Sequence, residues 1–324
     1  MEVILQSLQV LLKTVPKSRY WVIGINVVLV LGMLLFLGRY LYLDVQKILH
    51  AELSLRPSYL GLALICYGFN FLIFIVAWQR IVVRLGGPTD LKQNVFLYSY
   101  TNLARFLPTP IWFIASRVHS YNQLGVKRRS ALTMTAVETL LHALTGLAFY
   151  ASLAINLERP VTLLYVLALI PVAIVLFRPK WLKLPKMMEK TETWMRWQDM
   201  LTLLALYFVT WVIAGPFLSA IINVFSRNTL SLSNLWRIWT LASLVSYLAT
   251  YILGGIGVLQ EFTLTWLLSR FYSPGVALLI AIGVRLTLIL GGILYGLMIS
   301  GLVVISSRVR KQDGYKKGSP SRDA

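Results

Sequence analysis

Only twelve of the 324 residues are acidic, three are histidine and one, Cys66, is cysteine. A single cysteine excludes an internal disulfide framework and a cysteine-rich zinc site. Charged residues make up 13% of the chain, against roughly 25% in a typical soluble domain, which excludes an ordinary water-soluble globule. With 57% of residues hydrophobic, an intrinsically disordered chain is excluded as well. Acids are far outnumbered by the 31 Lys and Arg, and the formal charge is +19. In a soluble protein that excess points to nucleic acid. In a chain this apolar it points to orientation in a membrane and to an anionic lipid surface, and no nucleic-acid partner is expected. The expectation is an all-α, polytopic integral membrane bundle.

What fills the chain is long apolar runs. Six of them, Trp21–Leu37, Tyr59–Trp78, Ala131–Ile155, Val161–Phe177, Leu201–Ile222 and Gly275–Ile305, read as full spans, because about 20 helical residues cross a hydrocarbon core. Pro171 and the Gly215–Pro216 pair predict kinks. Two further apolar stretches are interrupted: Asn94–Ala115 by Pro108–Thr109–Pro110, and Trp236–Leu268 by Gly254–Gly255–Ile256–Gly257. Both read as re-entrant helical hairpins, the alternative being a pair of short tilted spans in each case.

With six spans and two hairpins that return to the side they entered, twenty-two Lys and Arg fall on one side and seven on the other. Cytoplasmic loops collect cations, so both termini are expected inside, in a plasma membrane. Arg117 counts with the inside set, while Arg105 and Arg285 stay within apolar sequence. The domain reading is a cytoplasmic segment 1–20, one transmembrane domain 21–305 with halves about 21–155 and 161–305, and a polar tail 306–324, disordered from Lys311. The basic, Trp-containing stretch Arg178–Met200 reads as an interfacial segment, whether an anionic-lipid dock or plain anchoring.

The order span, span, hairpin, span occurs twice, the first time starting inside and the second outside, which is an inverted-topology repeat. Thirty residues separate Pro108 from Glu138, and thirty-one separate Gly254 from Arg285. An acid and a base therefore hold near-equivalent places in the two halves. Ser99–Tyr100 and Ser246–Tyr247 precede the two breaks in the same way.

Glu138 deep in an apolar helix must face the bundle, pair with a cation or be protonated. It reads either as part of a headgroup or counter-ion site, or as a structural ion pair with Arg285 or Arg105. The fixed charge and bidentate donors of Arg285 suit a lipid phosphate. Arg105 belongs to the same site or snorkels to the interface. Gly254, Gly255 and Gly257 permit a break whose half-helix N-terminus could take an anion, or else a tight helix crossing. His142 lies one turn beyond Glu138 on the same face, and a core hydrogen bond outweighs a metal ligand or proton relay. No metal or other cofactor is expected.

These residues resemble a known family. Leu253–Gly254–Gly255–Ile256–Gly257–Val258 looks like the Pro-Gly-Gly-hydrophobic-Gly-Val-x-Glu motif of the lysylphosphatidylglycerol synthase transmembrane region, or flippase-like family. Ala277 and Arg285 downstream resemble its second half. Thr101–Asn102–Leu103, Leu124–Gly125–Val126, Ala131–Leu132 and Glu138 resemble its first, so the likeness runs from about Tyr59 to Ile305. Where the first motif carries an acid, this chain has Phe113; where the second carries Glu it has Gln260, with Glu261 one later; and Thr139 follows Glu138 where Arg is common. The resemblance implies a lipid-headgroup site at Arg285, Glu138, Gly254, Gly255, Gly257, Gln260, Glu261 and Arg105. It implies binding or translocation of an anionic phospholipid or a polyprenyl-phosphate-linked lipid. Enzyme members append a soluble aminoacyl-transferring domain, whereas only a short polar tail follows Ile305, so the chain alone is not expected to be an enzyme. The alternatives are a non-transporting scaffold for a partner glycosyltransferase or aminoacyl-lipid synthase and, last, an embedded transferase, for which the acids are too few and too scattered.

Overall fold

The computed structural model describes residues 56–106, 111–154, 196–253 and 259–317. Among these, eight α-helices and one 3₁₀ turn account for the regular structure: α1 Ser58–Arg84, α2 Leu91–Asn102, the turn Leu103–Phe106, α3 Ile111–Gln123, α4 Arg128–Ala154, α5 Trp197–Phe225, α6 Leu232–Leu253, α7 Leu259–Leu268 and α8 Pro274–Lys317. Four of them, α1, α4, α5 and α8, are long and apolar enough to cross a membrane, and they coincide with four of the six expected spans. Their outward faces carry large apolar residues, Leu62, Ile65, Phe69, Leu72 and Val76 on α1 and Leu286, Leu290, Ile293 and Leu297 on α8. Such faces suit lipid rather than water. The spans Trp21–Leu37 and Val161–Phe177, the stretch 178–195, and Gly254, Gly255 and Gly257 lie outside the described residues, as does the Arg105 side chain.

The helices have two ends in common. At one, Arg84 Nε on α1 meets Asp199 Oδ2 on α5 at 2.9 Å. Nearby, Asn94 Nδ2 at the start of α2 donates to Pro88 O (2.7 Å) and Gln79 Oε1 (2.7 Å), and Asn94 Oδ1 accepts from Tyr121 Oη at the end of α3 (3.0 Å). At the other end, Arg56 N donates to Val224 O (3.1 Å), and Tyr272 Oη donates across to Asn228 O (2.7 Å). So α1 and α5 are antiparallel. Each of the pairs α2–α3 and α6–α7 runs out and back to the end where it began.

Two cores share the bundle. The first gathers Trp78, Tyr98, Tyr121, Met134 and Leu141 with the first half of α5, through Leu203 and Tyr207. The second gathers Leu235, Leu264, Leu268 and Ile280 with the second half of α5, through Leu218 and Ile221, and takes Ala63 from α1. The central pair α1–α5 therefore serves both. Around it α1 touches α2, α4 and α8; α5 touches α6, α8 and α4; α2 packs on α8, α6 on α4, α3 on α4 and α7 on α8.

Local chemistry explains the stops. Gly86 (φ 78°) and Gly125 (φ 82°) sit in the left-handed region just past α1 and α3. Gly87 N then reaches Val82 O at 2.8 Å and Val126 N reaches Tyr121 O at 3.1 Å, which closes the last carbonyls in Schellman form. Inside α5, Pro216 has no N–H to give Val212 O, yet the helix runs through it unbroken. Trp236 Nε1 on α6 donates to that carbonyl at 2.9 Å, and the absent side chain of Gly215 leaves room for the indole. The tail differs from expectation. α8 continues to Lys317, beyond the Lys311 start of the expected disordered tail, since extending a formed helix is far easier than starting one.

Candidate functional site

Among the described residues, two arginine–glutamate pairs lie inside the bundle, each joining the short helix that follows Pro108–Pro110 or Gly254–Gly257 in sequence to the long helix after it. In the first, Arg117 on α3 pairs through Nη1 with Glu138 Oε2 on α4. In the second, Arg285 Nη1 on α8 meets Glu261 Oε1 on α7 at 3.2 Å. The base precedes the acid in the first half, and the acid precedes the base in the second. Measured along the helices, Arg117 lies about 9 Å from the end of α3 and Glu138 about 15 Å into α4. From the opposite end of the bundle, Glu261 and Arg285 lie at about 10 Å and 16 Å.

The first pair is sealed: the Arg117 side chain is 0% exposed and that of Glu138 1%. Three aromatic rings hold the guanidinium, with Cζ 3.9 Å from the Trp78 ring centre, 4.3 Å from Phe113 and 4.8 Å from Tyr98. Cations over aromatic faces in a dry site gain more than at a surface. Tyr98 Oη is 3.4 Å from Glu138 Oε1, and Trp78 Nε1 donates to Tyr121 Oη at 2.8 Å, linking the cage to the Asn94 network. Arg117 Nε and Nη2 are buried and have no hydrogen-bond partner among the described residues. Ser99 Oγ and Asn102 Oδ1 on α2 are in the same condition.

The second pair is partly open, with Arg285 27% and Glu261 9% exposed. Glu261 Oε2 is buried without a partner among the described residues. Gln260 Nε2 donates to Ser243 Oγ on α6 at 3.1 Å, which ties α7 to the helix before the break.

His142 sits between the halves. Its Nε2 is 3.1 Å from Thr210 Oγ1 on α5, its Nδ1 is 2.8 Å from Tyr247 Oη on α6, and its ring stacks on Trp211 at 4.6 Å. These are the core hydrogen bonds expected of it. Among the described residues, no cluster of three or more His, Cys, Asp or Glu could hold a metal.

Of the residues expected at the site, Glu138, Arg285, Gln260 and Glu261 are placed, and Arg285 and Glu261 are in contact. Arg117 is the addition. Charge counting puts it with the cytoplasmic loops, but its surroundings are aromatic: Phe113, Arg117 and Tyr121 recur every four residues and share one face of α3. That spacing is the signal that distinguishes it from Lys127 or Arg128. No protein-family model matches the chain, and no curated protein matches it significantly.

Proposed function

We propose that the protein is a flippase-like integral membrane protein that binds an anionic lipid headgroup, of a phospholipid or a polyprenyl-phosphate-linked lipid, and carries it between leaflets. One observation carries the reading: two Arg–Glu pairs inside the bundle, one sealed and one partly open, one toward each end, each involving the short helix that follows Pro108–Pro110 or Gly254–Gly257 in sequence. Charges inside a membrane bundle are expensive and mark substrate pathways. Broken helices near the midplane of an inverted repeat form such sites in transporters.

An inverted repeat is supported by the packing. Exchange α1 with α5, α2 with α6, α3 with α7 and α4 with α8, and among the described residues the α1–α5 contact maps onto itself and every other principal helix–helix contact onto another one. The hairpins α2–α3 and α6–α7 enter from opposite ends, in keeping with six full spans and two re-entrant elements. Arg80, Arg84, Lys92, Lys127, Arg128 and Arg129 gather at one end, and Arg56, Arg227, Arg237 and Arg270 at the other. The first end is the cytoplasmic one, in keeping with both termini inside.

The partly open Arg285 is the headgroup contact, and Glu261 is its counter-ion when no lipid is bound. The test is leaflet exchange of a labelled anionic phospholipid in liposomes containing the purified chain. Exchange above protein-free vesicles is expected, and Arg285→Ala slows it roughly tenfold, the loss of one charge-assisted contact, without unfolding the protein. Absence of stimulated exchange, with co-purification of a membrane enzyme, would favour the scaffold role.

A further inference from the structure

We infer that the free edge of Arg117 is a binding site for a phosphate-type oxyanion, from a lipid headgroup or from free phosphate. A guanidinium presents Nε and Nη2 along one edge as two parallel N–H donors, the fork that matches two oxygens of a phosphate. In Arg117 that whole edge is unpartnered among the described residues, although the side chain is completely buried. The third nitrogen, Nη1, is held by Glu138, and the faces lie against Trp78, Phe113 and Tyr98. Among the described residues, pairing and stacking thus fix the group and engage everything but the fork. Arginine cannot shed its proton to escape burial. Buried polar groups are normally satisfied, and those that are not call for a ligand or another explanation.

Glu138 matches the charge of Arg117 but occupies only one of its nitrogens. Its other oxygen, Oε1, lies by Tyr98. The arriving anion therefore binds beside an existing carboxylate, and weakening that carboxylate must strengthen the site. Entry requires the 13-residue helix α3 to ease away from Trp78 and Tyr98. The inference stands on Arg117 alone, and only its lipid arm rests on the transport reading.

The test uses the full chain in a maltoside detergent, which carries no phosphate. Thermal midpoints are measured against inorganic phosphate with chloride at matched ionic strength, and against phosphatidic acid with diacylglycerol as the phosphate-free match. A bound ligand raises the midpoint in a concentration-dependent way. The midpoint is expected to rise saturably with one or both phosphate sources, and the source that acts identifies the natural form. Arg117→Lys keeps the charge beside Glu138 without the fork, and loses the response. Glu138→Gln uncovers the cation, binds phosphate at least roughly tenfold more tightly, and recovers part of its lost midpoint when phosphate is added. No shift from either source, or equal shifts in the wild type and Arg117→Lys, overturns the inference. If the lysine variant does not fold, an unchanged phosphate affinity in Glu138→Gln overturns it. Leaflet exchange is read separately, so a chain that binds phosphate at Arg117 and moves no lipid refutes the transport reading alone.

Discussion

Glu138 and Glu261 have the same chemistry and different surroundings, and that difference has a measurable consequence. Removing one partner of a sealed pair leaves an uncompensated charge in a dry site. Glu138→Ala is therefore expected to cost about 3–5 kcal/mol, read as a lowered unfolding midpoint in detergent. Glu261→Ala costs less, because Arg285 is partly exposed and water can take over the cation. Equal losses would show that the two pairs are not sealed to different degrees. At this scale the sequence was half legible. Glu138 and Arg285 stand out because apolar helices rarely carry charge, but their partners do not. Arg117 lies on a short helix near a basic loop, where positive charge is commonplace, and only the Phe113–Arg117–Tyr121 spacing separates it from its neighbours. Glu261 was named through the glycine motif that precedes it. Its contact with Arg285 depends on α7 returning against α8, which no local pattern encodes.

At the scale of an element, the breaks and stops in the helices follow from proline and glycine, and their consequences depend on neighbours. Pro216 predicts a kink, and α5 runs through it as one helix in which Trp236 of α6 satisfies the freed carbonyl of Val212. Trp236→Phe keeps most of the ring and removes the donor, and is expected to cost about 1–3 kcal/mol of stability. With Pro216→Ala in the same chain, the helix supplies its own N–H to Val212 and the cost of Trp236→Phe falls. An unchanged cost in the double variant would remove this explanation. Gly125 is a second point of dependence. A side chain there must adopt φ near 82°, so Gly125→Ala is expected to lose about 1–2 kcal/mol, while Gly61→Ala, in open space on α1, is expected to gain about 0.5–1 kcal/mol. The long apolar helices were legible from hydropathy alone. The run of α8 to Lys317 was not, because a polar composition says nothing about the helix it extends.

At the scale of the molecule, four long apolar helices and two out-and-back pairs among the described residues build two cores around one antiparallel pair, α1–α5. The proposed repeat rests, in the sequence, on an order of elements and on matching spacings around Pro108–Pro110 and Gly254–Gly257. Packing adds that the exchange of halves maps the helix contacts onto themselves, and that the ion pairs lie toward opposite ends. The central claim is that two related halves face opposite sides of a membrane, each with one intramembrane Arg–Glu pair, sealed in the first and partly open in the second. Its most direct measurement is cysteine labelling in sealed cells or oriented vesicles, starting from Cys66→Ala, with single cysteines at the exposed Thr89 and at Lys127, Arg227 and Ser273. The expected result is that the first two react only from the cytoplasmic side and the last two only from the outside. Reaction of positions 89 and 127 from opposite sides, or of 227 and 273 from opposite sides, would mean that a hairpin crosses the membrane and would contradict the account.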